Sequence, residues 1–175
     1  MTTPQTAQSI LNHPLVSRIR RNHGLEHATL KVLARRFPRL SIAGYSYPGG
    51  FFIIGRVPTE TLQSAVEDAL QRLQNGEHDL AIHPGCGTNY LTTGLLAGLA
   101  GGIVMLGAGK RWRNWLVRLP LAISLASLAV IFSQPLGRML QEKVTTDGHP
   151  GDLRVIEIMR YDQGNVTLHR VRTRG

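Results

Sequence analysis

Two histidines four residues apart, with a glutamate between them, are the residues of this sequence whose types and spacing most clearly point to chemistry. They are His23 and His27, and Glu26 directly precedes the second histidine. On a helix, residues i and i+4 share a face, so the two imidazoles could hold one ion. In this H-x-x-E-H order the glutamate lies beside the ion and can act as general base toward water. The motif indicates a zinc hydrolase, and the alternative is an ordinary amphipathic helix.

A second motif offers further metal donors. The loop His-Pro-Gly-Cys-Gly carries the imidazole of His83 and the thiol of Cys86, three residues apart. A catalytic zinc has three protein ligands and one open position, so one of these two residues completes the histidine pair, with Glu67 as a weaker option. The predicted site therefore consists of the metal ligands His23, His27, His83 and Cys86, with zinc as the metal and Glu26 as the catalytic residue.

Two other interpretations stay open at this stage. Cys86 could act as a nucleophile that a histidine activates. All four ligands could also close around the metal, which leaves no position for water and is typical of structural zinc in a non-catalytic membrane-anchored scaffold or regulatory protein. The remaining histidines have no partner at metal-ligand spacing and are expected at the surface: His13, His78, His149 and His169.

Two long stretches without charged residues, 84–109 and 119–137, predict where the protein resides. Each contains a segment of about 20 residues, which is long enough to cross a hydrocarbon core of about 30 Å. Between them, residues 110–118 hold four basic residues and two tryptophans, as is typical of a membrane interface. We therefore expect a transmembrane hairpin with helices at about 90–109 and 119–137, and a multi-pass protein of the cell membrane.

The same features decide which partners are expected. The net charge of +9 is concentrated in this basic, tryptophan-containing loop, and basic and acidic residues are more evenly mixed elsewhere. This distribution favours a lipid bilayer over nucleic acid as the partner. Gly94, Gly98 and Gly102 leave one helix face nearly bare, so a second copy of the chain could pack there. A transport path is the least favoured function, because the two apolar segments contain no ionisable residue.

The side of the membrane on which the polar parts lie stays open. The positive-inside rule places the basic loop in the cytoplasm and the polar parts outside. The single cysteine and an N-terminus without a signal-peptide pattern favour cytoplasmic polar parts instead.

The polar parts of the sequence predict a small α+β lobe. Apolar residues at three- and four-residue steps indicate a helix from Pro14 to the residues before Pro38, and a second helix beginning at about Thr59. Two β-hairpins are expected, with arms at 41–47 and 51–57 and at 153–161 and 166–173, and a short strand at 79–83. The fold class is a small sheet with two helices, interrupted by the two-helix transmembrane hairpin. The predicted order is a disordered segment 1–13, the lobe 14–89, the hairpin 90–137 and a C-terminal β-hairpin 138–175 that completes the lobe.

The two motifs also carry a resemblance to known families. His-Gly-Leu-Glu-His at residues 23–27, followed by His-Pro-Gly-Cys-Gly-Thr at 83–88, resembles uncharacterised bacterial membrane proteins that are described as metal-dependent enzymes. Ala28 and Gly85 stand where that family has lysine and arginine. The opening Arg-Arg-Asn-His-Gly-Leu-Glu-His-Ala-Thr also resembles a family with a domain of unknown function that covers most of the chain. Both resemblances imply a membrane protein with a histidine, glutamate and cysteine site.

Overall fold

The computed structural model describes residues 5–164 and 166–175. The chain forms two compact units. The first, called the lobe here, consists of Met1–His83 and Glu142–Gly175, and the second, the helical unit, of Pro84–Gln141.

The long helix that carries the first motif is α2, Pro14–Arg36. Proline suits the first turn of a helix because its missing amide hydrogen has no partner there in any case, and Pro38 disfavours helical geometry in the residue before it. Gly24 does not interrupt the helix. Its bare face lies against the backbone carbonyl of Asp147, where a Cβ atom would overlap, so close packing is the reason for glycine at this position.

The N-terminal segment differs from the prediction. Disorder was expected over residues 1–13, whereas the structure has a short helix, α1, at Gln5–Leu11. Its residues include Ala, Leu and Gln, which have high intrinsic helix propensity, so the polar composition of the segment was not a sufficient sign of disorder. Residues 1–4 lie outside the described part of the chain.

The lobe contains a four-stranded antiparallel sheet in the order β1-β2-β4-β3. Its strands are β1 (Ala43–Tyr47), β2 (Gly50–Ile54), β3 (Arg154–Gln163) and β4 (Val166–Arg174). The predicted pairing of the two hairpins is confirmed, because β2 pairs with β4 and places Ile53 opposite His169. This pairing joins the N-terminal hairpin to the C-terminal hairpin and leaves β1 and β3 at the edges of the sheet.

A second helix, α3 (Thr59–Gln74), packs beside α2. The two helices and the sheet enclose one apolar core, whose largest fully buried side chains include Leu25, Leu33, Phe51, Ile53, Leu62 and Leu73. The predicted strand at 79–83 is wrong, because residues His78–Ala81 form a 3-10 turn. A short apolar run can belong to a strand or to a helical turn, and this turn buries Leu80 and Ala81 without needing a neighbouring strand.

The helical unit consists of α4 (Gly87–Met105) and α5 (Trp112–Leu140), which pack against each other. The hydroxyl groups of Thr93 and Ser133 hydrogen-bond across the pair at 2.7 Å. The glycine of α4 that faces α5 is Gly101, near the carbonyl of Ala122 and the side chain of Ala126. The predicted stripe of Gly94, Gly98 and Gly102 has no described neighbour within 4 Å of a Cβ position.

The prediction of two membrane-spanning helices needs correction. Among the described residues, one helix has the length and apolarity of a membrane span: Trp112–Thr145, which is α5 together with a π-helical turn at Gln141–Thr145. Helix α4 falls short because its first two turns carry polar side chains, namely Thr88, Asn89, Thr92 and Thr93. The structure therefore supports a helical pair with one candidate span, and does not support a multi-pass hairpin.

The predicted basic loop 110–118 is also shorter than expected, because α5 already begins at Trp112. Arg118 lies within the helix and donates hydrogen bonds to the carbonyls of Val104 and Leu106 at the end of α4. One of the four basic side chains thus closes the turn between the helices.

A fully buried histidine in the sheet makes the stability of the lobe depend on pH. His169 is 0% exposed, and its Nε2 atom lies 3.1 Å from the hydroxyl of Thr59, while its Nδ1 atom has no hydrogen-bond partner among the described residues. Burial is the main cause that lowers the pKa of His169, and the charge of Arg160 adds to it. The expectation that this histidine lies at the surface is wrong.

Below about pH 6.5, where an unfolded histidine gains a proton, the unfolded state binds more protons than the folded state. The free energy of unfolding should therefore fall with decreasing pH until the folded pKa is reached, by at most about 1.4 kcal/mol per pH unit for one group. We expect His169→Gln to reduce this slope, as measured by thermal unfolding of the purified protein between pH 5 and 8. An unchanged slope in the variant would contradict the assignment.

Candidate metal centre

The two histidines of the first motif lie on one face of α2, and each ring is held by a backbone carbonyl. The Nδ1 atom of His23 lies 2.9 Å from the carbonyl oxygen of Thr145. The Nδ1 atom of His27 lies 2.6 Å from the carbonyl oxygen of Ala81. The ring centroids are 4.3 Å apart, at an angle of 60°. The side chain at 27 is buried, with 2% exposure, and the one at 23 is partly buried.

These contacts determine where each ring carries its proton. A carbonyl oxygen only accepts hydrogen bonds, so both rings carry hydrogen on Nδ1, and in the neutral form of each ring Nε2 has the lone pair. A metal-bound histidine typically donates its other N–H to a backbone carbonyl or a carboxylate, which fixes the ring orientation. His23 and His27 therefore have the tautomer and the support of metal ligands.

The cysteine of the second motif completes a group of potential ligands. One donor atom each of His23, His27 and Cys86 lies within 4.8 Å of the others. Two ligands of a tetrahedral zinc ion are about 3.5 Å apart, given Zn–N of about 2.0 Å and Zn–S of about 2.3 Å. Imidazole and thiolate are donors that zinc accepts, so this group could bind a metal.

The histidine of the second motif lies next to this group without belonging to it. The ring of His83 is 5.6 Å from that of His27, between centroids. Burial is the largest cause that lowers the pKa of His83, and the nearby charges of His27 and Lys31 lower it further. A neutral imidazole is the form that binds metals, so His83 is a potential fourth donor on the same side of α2.

The glutamate of the first motif faces the sheet. Glu26 is 4% exposed, and the hydroxyl of Ser46 in β1 donates a hydrogen bond to its carboxylate. Burial raises the pKa of Glu26 above its ordinary value, and the hydrogen bond from Ser46 and the charge of His23 oppose this shift. A carboxylate whose pKa is raised toward the working pH suits the role of general base.

Glu67, the weaker ligand option, lies elsewhere. It is exposed on α3, where the side-chain amide of Gln63 donates a hydrogen bond to it. Among the described residues it is not part of the metal-binding group. It lies in the middle of α3 but outside the buried stripe of this helix, which consists of Leu62, Ala65, Val66, Ala69 and Leu73.

The residues that orient the site could not be identified from the sequence. Thr145 and Ala81 contribute only backbone carbonyls, which have no signal in residue type. His78 and His149, expected as isolated surface residues, lie with their rings 3.9 Å apart. They lie far apart in the sequence, so no spacing rule brings them together.

Gly44 in β1 leaves the space that the carboxylate of Glu26 occupies, because a Cβ atom there would overlap it. We expect Gly44→Ala to displace the carboxylate and to lower the free energy of unfolding by about 1–3 kcal/mol, as overpacking does. Urea unfolding of the variant measures this. The same substitution in a Glu26→Ala background should cost much less, since the overlapping group is gone. Equal costs in both backgrounds would show that the glutamate is not the cause.

The comparisons with known proteins agree with one resemblance seen in the sequence. A family model described as domain of unknown function, DUF6391, matches residues 18–158, which include both motifs. An uncharacterized protein of Picosynechococcus sp. is 38% identical over 167 residues, covering 89% of this chain and 79% of the relative. No solved structure matches the chain. The predicted similarity to a domain-of-unknown-function family is confirmed.

Proposed function

Since the chain belongs to the DUF6391 family, a domain of unknown function, we propose from its site that it is a membrane-associated hydrolase that depends on a divalent metal, with zinc as the metal. The observation that carries the proposal is the pair of Nδ1–H contacts to backbone carbonyls, which leave the Nε2 atoms of His23 and His27 as the possible donors to a metal.

In this proposal His23, His27 and Cys86 would hold the metal, and water or substrate would take the remaining ligand position. Bound zinc would supply Lewis acidity toward a substrate carbonyl and toward water. Glu26 takes the proton from water at its carboxylate, and the hydroxyl of Ser46 keeps that carboxylate in place. The partly apolar surroundings raise its proton affinity, which makes it a better base.

The experiment uses the purified full-length protein in detergent. We expect about one zinc per chain, together with hydrolysis of a simple ester such as p-nitrophenyl acetate that a chelator removes and added zinc restores. The His149→Ala variant is the control, since this exposed histidine lies outside the group. No zinc in the wild-type protein, or hydrolysis that is unaffected by the chelator, would overturn the proposal.

A closed structural site is the second candidate. The observation in its favour is the ring of His83 at 5.6 Å from that of His27, which offers a fourth donor. With four protein ligands no position is left for water, and the protein would be a membrane-anchored scaffold or regulatory subunit. A His83→Ala variant separates the two: it keeps zinc and activity in the hydrolase, and loses zinc affinity in the scaffold.

We place the protein in a membrane through α5, whose apolar length supports one crossing. Helix α4 then packs along α5, and its glycine stripe at Gly94, Gly98 and Gly102 is the proposed contact with a second copy. The expected partner of this unit is the lipid bilayer. Extraction of the protein from membranes by carbonate at high pH would contradict this placement.

A further inference from the structure

We propose that Arg20 is a positioning residue of the metal centre, which holds residues 143–146 against α2 so that the carbonyl of Thr145 orients His23. The inference rests on the proposed metal site and adds the residue that supports one of its ligands from outside.

Arg20 contacts the backbone before and after the carbonyl of Thr145, which orients His23. Its Nη2 atom donates to the carbonyl oxygen of Lys143 at 3.4 Å and to that of Thr146 at 3.1 Å. The carbonyl between these positions in the chain, that of Thr145, accepts the hydrogen bond from His23 at 2.9 Å. One guanidinium group thus fixes the peptide units before and after the acceptor.

Backbone contacts also hold this segment against α2. The amide of Asp147 donates to the carbonyl oxygen of Arg20 at 3.0 Å. One turn along α2, Gly24 lies so close to the carbonyl of Asp147 that a side chain has no room there. The segment is therefore held along more than one turn of the helix that carries both histidine ligands.

Orientation of this kind affects metal binding directly. The ring of His23 can rotate about its side-chain bonds, and the acceptor at Nδ1 favours one tautomer and one direction of Nε2. Loss of such an outer partner typically lowers metal affinity 10- to 100-fold. Arg20 acts on the metal only through the Thr145 carbonyl, so its removal should have an effect within this range or somewhat below it.

The segment that Arg20 holds, residues 143–146, overlaps the turn that follows α5. Residues Gln141–Thr145 form a π-helical turn that directly continues α5, the candidate membrane span. Single π turns are rare and occur frequently at functional sites. Here the turn ends at Thr145, whose carbonyl accepts the hydrogen bond from His23.

The test compares two adjacent arginines in the full-length protein. Arg20→Gln should lower zinc affinity about 10-fold, as measured by competition with a chromogenic chelator. Arg21→Gln is the matched control, because Arg21 is also partly buried and pairs with Asp152 at 2.7 Å, away from Thr145. It should change the affinity less than twofold. Arg20→Lys, which keeps a donor, should recover part of the loss.

A second readout separates positioning from general stability. In the cobalt-substituted protein, Arg20→Gln should alter the visible absorption of the metal centre, whereas Arg21→Gln should leave it unchanged even if both variants unfold at the same lower temperature. An unchanged zinc affinity in Arg20→Gln, in a wild-type protein that binds zinc, overturns this inference alone. A wild-type protein that binds no zinc overturns the proposed function, and this inference with it.

Discussion

A Glu26→Gln variant is expected to keep its zinc and to lose about 10²- to 10⁴-fold in the rate of ester hydrolysis, the range that general bases contribute. The amide has nearly the same shape as the carboxylate, and the hydroxyl of Ser46 can still donate to its oxygen. What the amide cannot do is accept a proton. The measurement is the turnover rate with p-nitrophenyl acetate, together with the zinc content of the same sample.

The matched control is Glu67→Gln, the same substitution on the exposed side of α3, where no effect on turnover is expected. If Glu26→Gln hydrolyses the ester at the wild-type rate and keeps its zinc, Glu26 is not the base. In that case the buried carboxyl serves only as a hydrogen-bond acceptor between α2 and β1.

The second large effect is expected for His27→Ala, which should abolish stoichiometric zinc binding and also destabilise the lobe. The side chain is 2% exposed, so its removal leaves a cavity, and the carbonyl of Ala81 loses its partner. A buried acceptor without a partner costs about 1–3 kcal/mol, and the cavity adds to this. Zinc analysis and thermal unfolding in a chelator give the two effects separately.

His149→Ala is the comparison for this variant as well, since the side chain is 75% exposed. It should retain zinc and unfold at nearly the wild-type temperature. Wild-type zinc content in His27→Ala would contradict the ligand assignment, whatever the change in stability. A His27→Gln variant, which keeps a hydrogen-bond donor for Ala81, tests the ligand role with a smaller loss of stability.

The lobe follows closely from local sequence patterns. Helix α2 begins at Pro14 and ends just before Pro38, and the turn at Pro48-Gly49 separates two β-rich arms. Pairing of the C-terminal hairpin with the N-terminal strands was expected because a lone hairpin is only marginally stable in water, and the structure shows this pairing between β2 and β4. These features depend on residues that are close in sequence, or on a simple need for burial.

Two of the predictions that failed, the strand at 79–83 and the membrane span at 90–109, depended on apolar or uncharged content rather than on a periodic pattern. The run at 79–83 has too few residues to distinguish a strand from the observed turn. Absence of charge over 84–109 suggested a membrane span, yet hydroxyl and amide side chains in the first turns of α4 reduce its apolarity. Charge-free and apolar are different properties, and a span requires the second.

The candidate site was predictable in one part only. The spacing of His23 and His27 places their rings on one face of any helix, which requires no knowledge of the tertiary structure. The carbonyls that orient these rings come from residues 54 and 122 positions away in the chain. Arg20 could not be identified for the same reason, since its partners are backbone atoms that only the fold brings to α2.

X-ray absorption at the zinc edge of the zinc-loaded protein tests the central claim most directly. The account predicts one zinc per chain, with one sulfur at about 2.3 Å, nitrogen or oxygen ligands at about 2.0–2.1 Å, and a four-coordinate shell. The outer-shell scattering should correspond to two imidazoles, which leaves the fourth position to a light atom that is not histidine. A shell without sulfur, a shell with three imidazoles and one sulfur, or a protein that holds no zinc would contradict it.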